Sequence, residues 1–341
     1  MDKNKKSRIY LIVLMIAIFA VYTYRQNLPR QVHVTGTTMG TIAYNVKYID
    51  KQARQFKPQI DSLLKDFNQS LSTYIPNSDV SVFNKTGKVT FNFPYFYDVL
   101  EASKVIYEST QGAFDPTVGP LIDAWGFGEG EMIGPDSTQV DSLLQYVGFN
   151  KIDFTKTKAE TTIPSMKLSF SAIAKGQAID VVADWLAEQD IANYMVEIGG
   201  EVRAKGENLE GETWTIGIEQ PNEQRIGGLF DAIQLHDQGM ATSGNYRNFR
   251  IVNGKKVAHT IDPVTGYPKM QTLLSATILA PNCMLADGYA TACMVMGLEG
   301  SKNLVETHPE LEGYFIYADE NGEMVTYIST GLKGKTLKDA K

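Results

Sequence analysis

The chain has 341 residues, 43% of them hydrophobic and 21% charged, with a formal net charge of −7. That length can bury a sizeable core as one large domain or two modest ones, and the ordinary composition excludes disorder on any large scale. Residues 1–30 carry six Lys or Arg and one Asp, a net of +5, so the remainder carries −12. This excludes nucleic acid as a partner of the main body.

Lys3, Lys5, Lys6 and Arg8 precede an uncharged run, Ile9–Tyr24, which Arg25 closes. As a helix the run would be about 24 Å long against a hydrocarbon core of about 30 Å, with Tyr and Arg flanks able to snorkel. No small-x-small cleavage site follows it, and no Cys lies close behind. Residues 1–30 therefore read as an uncleaved signal-anchor. The basic end stays in the cytoplasm, and everything after Arg30 is placed on the extracytoplasmic side of the inner membrane. The only cysteines, Cys283 and Cys293, are too few for a disulfide framework.

Past Arg30, "TIAYNVKYI" alternates after the "GTTMG" turn and predicts a hairpin. Helical spacing follows at Gln59–Phe67 and Tyr97–Ser109. Between them lie the loop "STYIPNSDVSVFN", where Ser78 or Asp79 fits a helix cap, and a short strand in "KVTFNF". Val140–Val147 predicts a short helix, "KLSFSAI" a strand, and Ala174–Asp190 a strong amphipathic helix. "YMVEIGGEVRAKG" and "WTIGIEQP" predict a hairpin-like pair, and further strands run through Leu279. Ala286–Met296 predicts a helix, and "EGYFIYADENGEMVTYIST" a closing hairpin that turns at "ENG". Helices and strands interleave without a clean βαβ repeat. The expected class is α+β, with one catalytic domain at residues 31–335 and a short tail at 336–341.

Several stretches could carry chemistry, and each also has a plainer reading. Gly112–Gly128, "GAFDPTVGPLIDAWGFG", crowds four glycines and two prolines around Phe114, Asp115, Trp125 and Phe127. Such a backbone can approach a ligand closely. Asp287 and Thr291 are spaced i, i+4 and share a helix face; they form an oxygen-only pair suited to Mg²⁺, though an Asp near a helix start also complements the helix dipole. Lys175 opens a helix among small residues, where it can meet a phosphate or simply face water. Gly199 and Gly200 stand between carboxylates in "EIGGEVR" and fit a strand turn. His259 precedes Asp262 by three residues, which suits a general base oriented by a carboxylate, or a structural histidine. "STGLKGKT" has Ser329 where a phosphate loop needs its first Gly, and "GFGEG" lacks dinucleotide-fold spacing, so both are set aside.

In order, "GTTMGT", "STYIPNSDVSVFN", "GAFDPTVGPLIDAWGFG", "SAIAKG", "VEIGGEVRAKG", "ATSGNYRNF", "HTIDPVTGYP" and "LADGYATA" resemble the ApbE family of FAD:protein FMN transferases. The blocks cover nearly everything after residue 35. The resemblance implies a T-fold-like core and Mg²⁺-dependent splitting of FAD. FMN would be attached through a phosphoester to a Thr or Ser of a target protein, with AMP released. It assigns Met39, Tyr74, Ala113, Phe114, Asp115 and Lys175 to FAD, and the Ala172 carbonyl with Asp287 and Thr291 to the metal. Many members carry Asp where this chain has Ser169 in "SFSA", a missing carboxylate expected to weaken a flavin contact or the metal's surroundings. No Ser/Thr-Gly-Ala-Thr acceptor motif occurs in the chain, so the acceptor is expected to be a separate respiratory or extracytoplasmic flavoprotein subunit. In this chemistry His259, held by Asp262, would be the base, and Lys175 would stabilise phosphate charge. The alternatives are a pyrophosphatase giving FMN and AMP, or an exported flavin-binding protein.

Overall fold

The computed structural model describes the chain apart from residues 1–2, 27, 129–133, 222–227, 246–248, 253–254, 270 and 339–341. For residues 3–6, 8, 26, 249–252 and 255–257 it describes the backbone alone. Glu129 and Gly130 of "GFGEG", and Tyr246–Asn248 of "ATSGNYRNF", lie outside the described residues.

The N-terminal hairpin pairs Arg30–Thr38 with Ile42–Asp50, Thr38 opposite Ile42. Ile42–Asp50 pairs next with Tyr194–Ile198, which turns into Glu201–Lys205. Gln238–Gly244, Leu273–Ala280, Glu312–Ala318 and Met324–Ile328 complete an eight-stranded sheet in which each neighbouring pair is antiparallel. The turn after Ile198 needs its two glycines. Gly199 and Gly200 have φ of 63° and 107°, and Ile198 lies opposite Glu201, so a two-residue loop reverses the chain in a conformation that side chains oppose.

Period-two alternation divides the sheet into two faces. Tyr194, Val196, Ile198, Ala276, Ile278 and Phe315 join the larger core, under the helices Lys57–Leu71, Tyr95–Ser109, Ala174–Glu188 and Cys283–Thr307. Val202, Ala204, Leu279, Tyr314 and Ile316 face the other way. There they meet Trp214, Ile218, Ile233 and Leu235 of a separate two-stranded ribbon, Trp214–Glu219 with Leu229–Leu235. That ribbon corrects the expected pairing of "WTIGIEQP" with "YMVEIGGEVRAKG".

Two other expectations change. "STYIPNSDVSVFN" holds a helix, Asp79–Thr86, whose N-cap Ser78 accepts the Ser81 N–H at 3.1 Å. "KLSFSAI" is not a strand, although Leu168 and Phe170 are buried and alternate with more accessible neighbours. Its backbone is held by a side chain instead. Asn84 donates Nδ2–H to the Leu168 carbonyl at 2.9 Å and accepts the Leu168 N–H at 2.7 Å, while the Ser169 N–H reaches the Pro116 carbonyl at 2.8 Å. An amide side chain satisfies the same donors and acceptors as a neighbouring strand, so the alternation survives without a ladder.

Cys283–Thr307 runs well past the expected Met296, but it is broken at Gly297, where φ is 78°. Just before the break, Gln271 Nε2 donates to the Met294 and Val295 carbonyls at 2.6 and 3.1 Å. At the other end of the chain, Lys3–Gln26 is one helix whose large apolar side chains from Ile9 to Tyr24 are at least 50% exposed. Among the described residues no helix is long and apolar enough to cross a membrane.

Candidate active site

A cavity of about 720 Å³ is walled by four parts of the chain. Its lining includes Ala172, Lys175, Asp287 and Thr291 from the helix pair and its approach, and Gly199, Glu201 and Thr242–Gly244 from sheet strands and the turn between them. Ala113–Pro116 and His259–Ile261 come from loops opposite.

The helix pair is built around one glycine. A Cβ on Gly176 would lie 2.2 Å from the Cys283 carbonyl oxygen. Only hydrogen allows so close an approach, and that approach lets each helix cap the other. Ile173, at the start of Ala174–Glu188, offers no side-chain cap. Asp287 Oδ2 supplies one from the partner helix, accepting the Gly176 N–H at 3.0 Å. In return Asp180 accepts the Cys283 and Met284 N–H groups at 2.9 and 2.7 Å. Each carboxylate thus sits at the positive end of the opposite helix. Burial nevertheless pushes Asp180 up to about 6, against the opposing pull of Arg203, whose guanidinium is 3.0 Å away.

Charge in the cavity is concentrated on three side chains. Lys175 Nζ lies 2.5 Å from Glu201 Oε1, and the Glu201 side chain is 5% exposed. Burial raises Glu201 to about 7, opposed by Lys175 and reinforced by Asp287. Burial also raises Asp287, with Lys175 and the Gly176 N–H opposing it. For Lys175, burial works to lower the ammonium's pKa, but the two carboxylates outweigh it and the net direction is up. Two buried acids therefore share one base. Glu201 Oε2 has no hydrogen-bond partner among the described groups. Glu201 was not among the residues expected in the site; its signal was the diglycine turn that places it.

Thr291, one turn beyond Asp287, has its hydroxyl 3.3 Å from that of Ser243. Among the described residues no cluster of three His, Cys, Asp or Glu could hold a metal. What the cavity offers a cation is one carboxylate, a hydroxyl and the Ala172 segment, in a pocket with surplus negative charge. That all-oxygen set fits Mg²⁺, which keeps several waters and takes few protein ligands.

The opposite wall is held differently. Asp115 lines the cavity, but both its oxygens are spent on the chain: Oδ1 accepts from the Thr117 N–H and hydroxyl at 2.7 and 2.6 Å, and Oδ2 from the Phe149 N–H at 3.0 Å. Burial holds its carboxyl above the usual range. The side chain therefore secures the loop while remaining in the cavity wall, where it is expected to meet FAD. Phe114 is 3% exposed, with one face in the core and the cavity beside it. Trp125 ties the wall together, its indole N–H donating to the Gly266 carbonyl at 2.9 Å.

His259 also lines the cavity, its ring edge toward Phe127 with centroids 6.4 Å apart. The Asp262 carboxylate accepts from the Val264 and Thr265 N–H groups at 2.9 and 3.4 Å and from Lys269 Nζ at 3.1 Å, so it stabilises its own turn. Met39 and Tyr74 also lie off the cavity. Met39 sits at the hairpin tip with φ of 47° and packs partly against the core, while Tyr74 is 77% exposed. The structure thus gathers Ala113, Phe114, Asp115, Ala172, Lys175, His259, Asp287 and Thr291, and leaves Met39, Tyr74 and Asp262 outside.

The sequence profile of the ApbE family matches residues 37–315. The chain is 37% identical over 340 residues to the FAD:protein FMN transferase of Haemophilus influenzae, covering 95% of this chain and 97% of that protein. It is 39% identical over 291 residues to that of Vibrio cholerae, covering 82% and 85%. Its fold superposes on the solved structure of the flavin transferase ApbE of Vibrio cholerae with a TM-score of 0.79 at 35% identity, covering 89% of this chain and 99% of the other. On the Pseudomonas stutzeri flavinyl transferase ApbE the TM-score is also 0.79, at 29% identity, with 90% and 97% covered. With the profile spanning most of the chain and full-length relatives above 30% identity, this chain belongs to the ApbE family.

Proposed function

We propose that the chain transfers FMN from FAD to a serine or threonine hydroxyl of an acceptor protein and releases AMP. One observation carries the reading: Phe114, Lys175, His259, Asp287 and Thr291, drawn from four distant stretches, line a single cavity. Relatives named FAD:protein FMN transferase support it.

The acceptor oxygen attacks the phosphorus on the FMN side of the diphosphate. A new P–O bond forms as the bond from that phosphorus to the bridging oxygen breaks, and AMP departs with the electron pair. The hydroxyl proton passes to the His259 imidazole, a titratable group on the wall facing the helix pair. The Lys175 ammonium offsets charge on the diphosphate, and Phe114 offers an apolar surface to a flat ring. Ala172, Asp287 and Thr291 would hold Mg²⁺, which supplies neutralisation of the diphosphate's negative charge.

The N-terminal helix enters the same reading as a membrane anchor. Its apolar side chains are exposed on the protein, which suits a lipid environment, and the basic residues ahead of it fit an outward placement of the rest of the chain.

The test is to incubate the full-length protein in detergent with FAD, Mg²⁺ and a respiratory flavoprotein subunit. Mass spectrometry should show the acceptor heavier by one FMN, with one AMP released per acceptor. FMN and AMP with an unmodified acceptor would mean a pyrophosphatase. Intact FAD would mean a flavin carrier.

A further inference from the structure

A buried ion pair is a poor stabiliser, because desolvating both charges offsets most of their attraction, and a neutral pair of similar size often packs as well. The Lys175–Glu201 pair is of this kind on its acid side: the Glu201 side chain is 5% exposed and that of Lys175 27%, and one Glu201 oxygen has no hydrogen-bond partner among the described groups. Stability is therefore a weak reason for it, and what it does to its neighbours is the better question.

A second carboxylate, that of Asp287, lines the same cavity as Lys175 and accepts the N–H of the next residue, Gly176, at 3.0 Å. Asp287 has given Oδ2 to the Gly176 N–H, so its other oxygen is what remains for a ligand in the cavity. In a low-dielectric pocket an ammonium on a flexible four-carbon stem settles on whichever carboxylate is available. The hairpin decides which. Gly199 and Gly200 turn the chain so that Glu201 opens its strand beside the start of the Ala174 helix, 2.5 Å from Lys175 Nζ.

We propose that Glu201 is a positioning residue whose carboxylate holds Lys175 away from Asp287 and so keeps Asp287 open to a divalent cation. Without that carboxylate, Lys175 turns to Asp287 and neutralises the one acidic ligand of the all-oxygen set. A cation must then displace an ammonium before it can bind. The inference rests on the metal reading above and adds the residue that keeps the site available.

Binding of Mn²⁺ without FAD, followed by the electron paramagnetic resonance of free Mn²⁺, tests it on the full-length protein in detergent. Glu201→Gln should weaken Mn²⁺ binding about tenfold, as loss of a group that orients a metal ligand does. In a Lys175→Met background the same change should cost little, because no ammonium is left to collapse onto Asp287. Glu201→Asp keeps the charge but draws it back from Lys175, so it too should weaken binding. If Glu201→Gln costs tenfold in both backgrounds while Glu201→Asp costs nothing, Glu201 acts only through its charge at a distance and the inference is overturned. If Glu201→Gln has no effect in either background, the inference is overturned while a loss of Mn²⁺ in Asp287→Asn leaves the metal reading standing. An Asp287→Asn protein that binds Mn²⁺ like the parent would remove both. Circular-dichroism melts of each variant confirm that the fold is intact.

Discussion

The helix pair and the loop wall face each other across one cavity, yet they use their carboxylates in opposite ways. On the helix side Asp287 spends one oxygen on the Gly176 N–H and presents its side chain to the cavity. Asp115 on the wall, and Asp262 just outside the cavity, accept on both oxygens from N–H, O–H and ammonium donors of their own surroundings. Asp180, behind the helix pair, is likewise fully engaged. A carboxylate anchored through one oxygen is aimed and still able to bind; one anchored through both is scaffold. Proximity to a cavity does not separate the two, whereas counting the donors on each oxygen does.

The hardest test of that distinction is Asp287→Ala. Loss of the open carboxylate should slow FMN transfer about 10³-fold, the scale for removing a preorganised electrostatic group from a reacting centre. Intact mass of the acceptor over time measures this. A parent-like rate would place Asp287 with the scaffold acids and break the comparison.

Asp180 gives the next largest effect, on stability. Its folded pKa of about 6 lies above the ordinary 3.8, so its contribution is fully present below pH 3.8 and is lost as pH rises through 6. The span corresponds to something on the order of 3 kcal/mol. Denaturant unfolding of the parent and of Asp180→Asn should show the parent losing stability relative to the variant between pH 4 and pH 7. Parallel pH profiles would mean that the Arg203 pair and the two backbone donors fully offset the burial of Asp180.

His259→Ala should cost about 10²-fold in transfer, the lower end for a general acid–base group. Single-turnover kinetics with saturating FAD would isolate the step. An unaltered rate would leave the loop wall with no reacting group and make the helix side the whole of the chemistry.

How much of this was legible in the sequence follows the same division. Asp287 and Thr291 could be read because four residues along a helix fix a shared face, whatever the rest of the chain does. Lys175 could be read because small residues flank it, and the contact at Gly176 explains why. Glu201 could not, since its partner lies 26 positions earlier and only the diglycine turn brings the two together. The α+β class followed from interleaved elements, and the eight-stranded antiparallel sheet agrees with it. "KLSFSAI" misled because burial alternates whether the bonding partner is a strand or the Asn84 amide. For the expected dyad of His259 and Asp262, the turn itself offers Asp262 other partners. A spacing of three places two side chains together on a helix, but in a turn an Asp bonds first to the N–H groups just ahead of it.

That last point yields the smallest and sharpest prediction. If Asp262 is scaffold, Asp262→Ala should leave the rate of transfer unchanged while lowering stability by about 1 kcal/mol, the scale for losing the hydrogen bonds of one turn. Melting of the variant against the parent measures the second quantity and acceptor mass the first. Were the rate to fall by about 10²-fold or more, Asp262 would act through His259 despite its bonds to Val264, Thr265 and Lys269. The number of donors on a carboxylate would then cease to distinguish ligand from scaffold, and Asp115, bound in the same manner, would have to be tested as a ligand in its own right.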